Sequence, residues 1–160
     1  MKLLDQGFFS RDTVSIAQSL LGKIISVNNK KGRIVEVEAY VTDAASHAFK
    51  KTPRSALMYD TYGFVYVYLV YGMYYCLNFT SEKEGTGAVL IRGVEDLESK
   101  KLISGPGKVC LFFGIDKTFN GVCVGKDVKI FNDGFVVRDI KKSGRIGIQK
   151  ARELEWRFYY

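Results

Sequence analysis

The stretch Gly63-Phe-Val-Tyr-Val-Tyr-Leu-Val-Tyr-Gly-Met-Tyr-Tyr-Cys-Leu-Asn-Phe79 is the most strongly patterned part of the chain. Seven of its residues are aromatic, and five of these are tyrosines, half of the ten in the whole sequence. From Phe64 to Leu69 aromatic residues alternate with valine and leucine, which is the two-residue period of a β-strand. Tyr71-Gly72 interrupts the alternation where a glycine accepts a positive φ, and a second apolar run follows. The pattern predicts a β-hairpin with Tyr71 at or beside its tip.

A tyrosine at a hairpin tip has little to pack against within the hairpin. The tip of this hairpin could fold back onto the body of the protein, or Tyr71 could be pushed as a wedge into a partner. Apolar and aromatic wedges between base steps are a known device of proteins that bind the minor groove of DNA. Both readings stay open on the sequence of the hairpin alone.

The bulk composition indicates one globular domain over residues 1–160, with 47% hydrophobic and 26% charged residues. The net charge of +7 suits a polyanionic partner, although solubility alone would also explain it. No stretch approaches the roughly 18 apolar residues of a membrane span, and the N-terminal residues lack the apolar core of a signal peptide. We therefore expect a cytoplasmic protein that does not enter a membrane.

Metal chemistry has little support in the sequence. The three cysteines, Cys76, Cys110 and Cys123, share no CxxC spacing, and His47 is the only histidine. The cysteines are typical of reduced thiols in a cytoplasmic protein, and a zinc site of the usual ligand types is not expected. We expect no metal and no cofactor.

A second patterned stretch, Arg33 to Tyr40, predicts an amphipathic strand. Its alternation puts Val35, Val37 and Ala39 on one face and Ile34, Glu36, Glu38 and Tyr40 on the other. The two glutamates could simply be exposed to solvent, or this face could line a cleft. Carboxylates two residues apart lie roughly 6.6 Å apart along a strand, within the spacing used by inverting sugar hydrolases. A metal-dependent nuclease is a further option, but it needs additional carboxylates placed by the fold.

The remaining pattern consists of short elements. A helix capped by Ser10 or Asp12 ends at Gly22, one helical turn covers Ser55 to Met58, and another helix covers Lys108 to Phe113. Predicted strands are Lys23–Val27, Ala88–Arg92, Val128–Phe131 and Phe135–Arg138, and the tail around Trp156 is expected to dock as a closing segment. The fold class that follows is α+β, with a curved, mostly antiparallel sheet, a protruding β-hairpin and peripheral helices.

Several short motifs accompany the hairpin from near Leu20 to the C-terminus. They are Arg33-Ile-Val-Glu-Val-Glu-Ala-Tyr40, Ala45-Ser-His47, Thr52 with Arg54, Ala88-Val-Leu-Ile-Arg92, Gly105-Pro-Gly-Lys108, Arg145-Ile-Gly-Ile148 and Trp156-Arg-Phe158. In this order they closely resemble the alkyladenine (3-methyladenine) DNA glycosylase family. The chain departs from the family pattern in a shorter Tyr40–His47 stretch, in Ser55 where an asparagine is common, and in a short Glu95–Ser104 segment.

The resemblance implies an activity. It implies a monofunctional DNA glycosylase that acts in base excision repair on double-stranded DNA containing damaged purines, of the 3-methyladenine, 7-methylguanine and hypoxanthine class. Such an enzyme flips the damaged nucleotide out of the duplex and hydrolyses the N-glycosidic bond with an activated water, leaving an abasic site. We expect a monomer that is associated with the nucleoid through DNA binding.

The resemblance also implies roles for seven residues, carried over position by position. Glu38 matches the general base and Arg92 sits beside it, whereas Glu36 has no assigned chemistry. Tyr40, His47 and Tyr68 match the aromatic groups that stack on the flipped base. Asn78 occupies the position that crowds the exocyclic amine of guanine, and Tyr71 is the residue that intercalates into the DNA.

Overall fold

A computed structural model describes residues 1–160. Its strands are β1 (Lys2–Leu3), β2 (Ile24–Val27), β3 (Lys30–Tyr40), β4 (Val65–Val70), β5 (Tyr74–Ser81), β6 (Gly87–Asp96), β7 (Leu102–Ser104), β8 (Lys129–Asn132), β9 (Lys141–Ser143) and β10 (Arg157–Tyr159). Its α-helices are α1 (Thr13–Leu20), α2 (Ala56–Asp60) and α3 (Pro106–Phe113), and short 3-10 helices cover Gln6–Ser10, His47–Phe49 and Lys117–Phe119. None of these helices has the length and apolar character needed to span a bilayer.

All ten strands belong to one antiparallel sheet that does not close on itself. Its main path runs β1-β8-β2-β3-β6-β5-β4. β10 pairs with β3 on the same edge as β2, beyond the residues that β2 occupies, and the other edge of β10 pairs with β9. β7 pairs with the C-terminal end of β6. The predicted α+β class, with its mostly antiparallel sheet and peripheral helices, is confirmed.

The core lies between the helices and the central strands β3, β5 and β6. The side chains of Ile16, Ala17 and Leu20 on α1 are fully buried there, as the apolar spacing of this segment predicts. The helix begins after Asp12, whose carboxylate accepts the N–H of Ser15 at 3.0 Å. Of the two predicted capping residues, Asp12 is therefore the one that caps α1.

The predicted hairpin is formed by β4 and β5. Tyr71 and Gly72 at its tip have φ angles of 53° and 64°, positive as in type I′ turns, and the N–H of Met73 bonds to the carbonyl of Val70 at 3.0 Å. Tyr71 is 85% exposed, so it does not fold back onto the body of the protein. The interpretation that the hairpin tip folds back onto the body of the protein is therefore wrong.

The alternation predicted for β3 is wrong at its first half. The pairing of β3 with β6 shifts by one residue between Ile34 and Glu36 and shifts back between Glu36 and Val37. This irregularity turns Ile34 into the core beside Val37, and Val35 lies outside the core with partial exposure. Beyond the shift, the faces of Val37, Glu38 and Ala39 are as predicted.

The predicted strand Phe135–Arg138 is also wrong. β8 already pairs with β1 on one edge and β2 on the other, so no edge is left for a returning strand. The chain instead turns at Gly134, and the ring of Phe135 packs over the guanidinium of Arg33, 4.4 Å from its carbon to the ring centre. The other predicted elements are confirmed, with bounds that are lengthened, shortened or shifted by one to four residues, and the tail docks as β10.

Candidate active site

One row of paired residues across the sheet places two of the candidate residues, Glu38 and Asn78, on the same surface. Arg157 pairs with Glu38, Glu38 with Leu90, Leu90 with Asn78 and Asn78 with Tyr66, across β10, β3, β6, β5 and β4. Side chains of directly paired residues point to the same face of a sheet. Residues that are distant in sequence therefore form one surface.

Four residues of this row, Glu38, Leu90, Asn78 and Tyr66, line a cavity of about 400 Å³. The volume is at the lower end of the range for small-molecule pockets. The cavity is lined by all seven residues to which the family resemblance gave a role: Glu38, Tyr40, His47, Tyr68, Tyr71, Asn78 and Arg92. The structure thus places them in one pocket.

Glu38 lies at the base of the cavity with no exposed surface. Its Oε1 accepts the hydroxyl of Tyr40 at 2.9 Å, and its Oε2 accepts the backbone N–H of Ile146 at 2.6 Å. Burial raises the pKa of Glu38 above its ordinary value, although the Ile146 N–H, the charge of Arg92 and the Tyr40 hydroxyl act against that rise. The carboxylate is held in one orientation and in an environment that strengthens it as a base.

Arg92 is oriented by Glu36 more closely than by Glu38. Its Nε donates to Oε1 of Glu36 at 2.8 Å, whereas its Nη1 is 3.8 Å from Oε1 of Glu38. The same Glu36 oxygen accepts the Nε of Arg157 at 3.1 Å. Burial opposes ionisation of Glu36, but these two arginines lower its pKa. Glu36, without a role in the sequence analysis, is the ionised partner that fixes Arg92.

The aromatic side of the cavity is built by His47, Tyr66 and Tyr68. The rings of His47 and Tyr68 meet at an angle of 64° with centroids 4.3 Å apart, and Nδ1 of His47 is 3.2 Å from the hydroxyl of Tyr66. Burial, with a further contribution from the charge of Arg54, lowers the pKa of His47. The lowered pKa favours the neutral imidazole, which is suited to stacking.

Asn78 is buried on the floor of the cavity. Its side-chain amide group donates to the backbone carbonyls of Tyr66 and Cys76, at 3.3 and 3.5 Å. The side-chain carbonyl oxygen accepts no hydrogen bond from the protein. A rigid acceptor at this position can discriminate between rings that carry different substituents beside it.

Several residues of the pocket were missed by reasoning from the sequence. Ile146 was part of a recognised motif, but a role for its backbone N–H leaves no signal in side-chain identity. Tyr66 and Cys76 lie on strand positions that face the cavity, so the period of the hairpin could have indicated them. Burial raises the pKa of Cys76 to about 11, and its thiol stays protonated. No group of three or more His, Cys, Asp or Glu side chains is placed to hold a metal ion.

Comparison with known proteins defines the class. The profile of the methylpurine-DNA glycosylase (MPG) family matches residues 7–160. A protein of Clostridium novyi, provisionally named 3-methyladenine DNA glycosylase, is 41% identical over 99% of this chain and 95% of its own length. Proteins with the same provisional name from Rickettsia felis and a Wolbachia endosymbiont of Brugia malayi are 41% and 40% identical, each over 98% of this chain and 92% and 96% of their own lengths.

The chain is thus a DNA glycosylase, an enzyme that acts on DNA and hydrolyses N-glycosyl bonds. More particularly, it belongs to the methylpurine-DNA glycosylase family. The resemblance found in the sequence motifs is confirmed by these matches.

Proposed function

We propose that the chain is a monofunctional glycosylase that removes alkylated and deaminated purines from double-stranded DNA in base excision repair. The carboxylate of Glu38, buried under an aromatic pocket whose mouth carries the exposed ring of Tyr71, is the observation that carries the proposal. Residues 1–160 act as one domain and as a monomer. The substrate class includes 3-methyladenine, the base in the names of the relatives, together with 7-methylguanine and hypoxanthine.

The reaction begins with extrusion of the damaged nucleotide, because a base inside the duplex cannot reach a buried carboxylate. Tyr71 fills the gap in the stack, and Tyr40, His47 and Tyr68 receive the base. A damaged or mispaired base costs less to extrude than an intact pair, which supplies part of the selectivity.

Cleavage breaks the bond between the anomeric carbon and the purine nitrogen, and the bonding electrons leave with the base. The positive charge of an alkylated purine weakens this bond. Positive charge develops on the sugar, and the ionised Glu38 opposes it while accepting a proton from the attacking water. Arg92, held by Glu36, positions that water. The products are the free base and an intact abasic site.

Release of free base from methylated duplex DNA in the presence of chelator tests the proposal. Because water is the nucleophile, we expect free methylated purine, strand breaks only after alkali treatment, and no enzyme–DNA adduct after borohydride reduction. Binding without release would identify a binding module. Loss of activity in chelator would identify metal-dependent chemistry, and a trapped adduct would contradict attack by water.

Replacement of Asn78 by serine is expected to relax discrimination against guanine. The shorter side chain withdraws the fixed carbonyl oxygen and leaves space for an exocyclic amine. Hypoxanthine lacks that amine and is otherwise the same ring, so its excision should change less. Excision of guanine and hypoxanthine from matched duplexes measures the difference, and equal changes for both bases would show that Asn78 only supports the hairpin.

A further inference from the structure

The guanidinium of Arg145 is buried and connects three parts of the chain. Its Nη1 and Nη2 form a bidentate ion pair with the carboxylate of Asp43, at 3.0 and 2.7 Å. Its Nη1 also donates to the backbone carbonyl of Ala39, at 3.1 Å. These contacts join residues more than 100 positions apart in the sequence, at the point where β3 ends.

Aromatic rings hold the same guanidinium on its remaining sides. The carbon of the guanidinium is 4.7 Å from the ring centre of Tyr40 and 5.3 Å from that of Trp156. Its Nε is the only buried side-chain nitrogen or oxygen in the structure without a hydrogen-bond partner. The geometry of Arg145 is therefore fixed by the two rings and by Asp43, and the planar fork of arginine is required for it.

Both ends of this link reach the pocket. Asp43 accepts the backbone N–H groups of Val41 and Ala45, at 3.3 and 3.0 Å, and so shapes the turn that leads to His47. On the other side, the residue after Arg145 is Ile146, whose N–H bonds to Oε2 of Glu38. Arg145 itself does not line the cavity.

We propose that Arg145 is a positioning residue for the reaction: paired with Asp43, it holds the Ile146 N–H on the carboxylate of Glu38 and thereby keeps that carboxylate ionised and correctly oriented. The inference rests on the proposed function of Glu38 as the base. The Arg145–Asp43 pair would thus act on catalysis indirectly, through Ile146 and Glu38, and neither residue would touch the substrate.

The charged and titratable groups that face Glu38 come from every element around it. Glu36 and Tyr40 lie on β3, Arg92 on β6, Tyr68 on β4, Cys76 on β5 and Arg157, which pairs with Glu38 in the sheet, on β10. Arg92 and Arg157 carry the positive charges among these, and the Nε of each donates to Glu36 rather than to Glu38. The N–H of Ile146 is therefore the closest group that favours the ionised form of Glu38.

Weakening the link should change the pH dependence of excision. If the N–H of Ile146 moves away, the pKa of Glu38 rises further above its ordinary value, and a larger fraction of the enzyme is protonated at acidic pH. Excision then falls as pH decreases and recovers as pH increases. A purely structural role for the pair would lower stability and reduce activity by the same factor at every pH.

The test uses Asp43→Asn and Arg145→Lys, which keep side-chain size or charge but remove the bidentate pair. For each variant, excision rates on methylated duplex DNA are measured with enzyme in excess across the acidic and neutral range. The midpoint of the acidic limb should rise by at least about 0.5 pH unit, so that the loss at low pH exceeds the loss at high pH by about threefold.

Asp133→Asn is the matched control. Asp133 forms a bidentate pair with Arg33, which also donates to a backbone carbonyl, that of Gly22, and stacks on an aromatic ring. This control should lose stability without shifting the pH profile. If Asp43→Asn and Arg145→Lys fold and keep the wild-type midpoint, the positioning role is wrong even when Glu38→Gln is inactive. If Glu38→Gln is active, the proposed function itself fails.

Discussion

Glu38→Gln is expected to reduce excision by a factor of about 10² or more, the scale of general-base catalysis, while binding to lesion-containing DNA stays near wild type. Glutamine preserves the size of the side chain and can still accept the N–H of Ile146. It removes both the proton acceptor and the negative charge that opposes the charge on the sugar. Single-turnover release of methylated purine and a binding titration measure the two quantities separately.

The same substitution should not reduce the free energy of unfolding at neutral pH. Because burial raises the folded-state pKa of Glu38, the folded state binds its proton more tightly than the unfolded state does. Its stabilising contribution is present below the ordinary pKa and is lost as pH rises through the folded-state value. At neutral pH the ionised carboxylate is therefore destabilising, and we expect the melting temperature of Glu38→Gln to equal or exceed that of the wild type.

Glu36→Gln is the control for chemistry that uses both carboxylates. Glu36 accepts hydrogen bonds from Arg92 and Arg157 and is not in the cavity lining, so its replacement should loosen Arg92 and reduce excision much less than Glu38→Gln does. Equal losses in the two variants would favour a paired-carboxylate hydrolysis. Full excision by Glu38→Gln would exclude Glu38 as the base.

Tyr71→Ala is expected to lower the population of flipped base by about fivefold or more, since stacking of an aromatic side chain on a base contributes roughly 1–3 kcal/mol. Tyr71 is 85% exposed, so its loss removes little packing and the fold should be retained. Fluorescence of 2-aminopurine placed beside the lesion reports the flipped state.

Tyr71→Phe separates the ring from the hydroxyl. The phenylalanine variant keeps the flat ring and the backbone geometry of the tip, and we expect its fluorescence signal to match the wild type. A wild-type signal from Tyr71→Ala would show that the tip does not act as a wedge.

The hairpin and helix α1 could be predicted because their signals are local. A two-residue alternation specifies a strand wherever one face is buried, and a capping residue before an apolar period limits the start of α1 to Ser10 or Asp12, of which the structure shows Asp12 as the cap. The register shift in β3 leaves no such signal, since Val35 and Ile34 are both apolar and their placement depends on how β6 pairs. The segment after Gly134 was misassigned because the partners that occupy both edges of β8 come from distant parts of the chain.

The candidate site likewise contains residues that the sequence indicates and residues that it does not. Functional side chains such as Glu38 and His47 are visible as residue types, and the family motifs indicate their positions. Their supports are not visible: Glu36 is bonded to arginines 56 and 121 residues away, and Ile146 reaches Glu38 across 108 residues. Such contacts depend on the topology of the sheet, and no spacing in the sequence encodes them.

Because β10 docks on β3, the pocket is expected to be completed late in folding. Arg157, the Ile146 N–H and the Trp156 ring all come from the last part of the chain, whereas Glu38 is among its first forty residues. Contacts of such long separation close large loops and form slowly. During synthesis on the ribosome the central strands are made before Ile146, so the carboxylate of Glu38 gains the N–H of Ile146 only after its partners Tyr40 and Arg92 are already present.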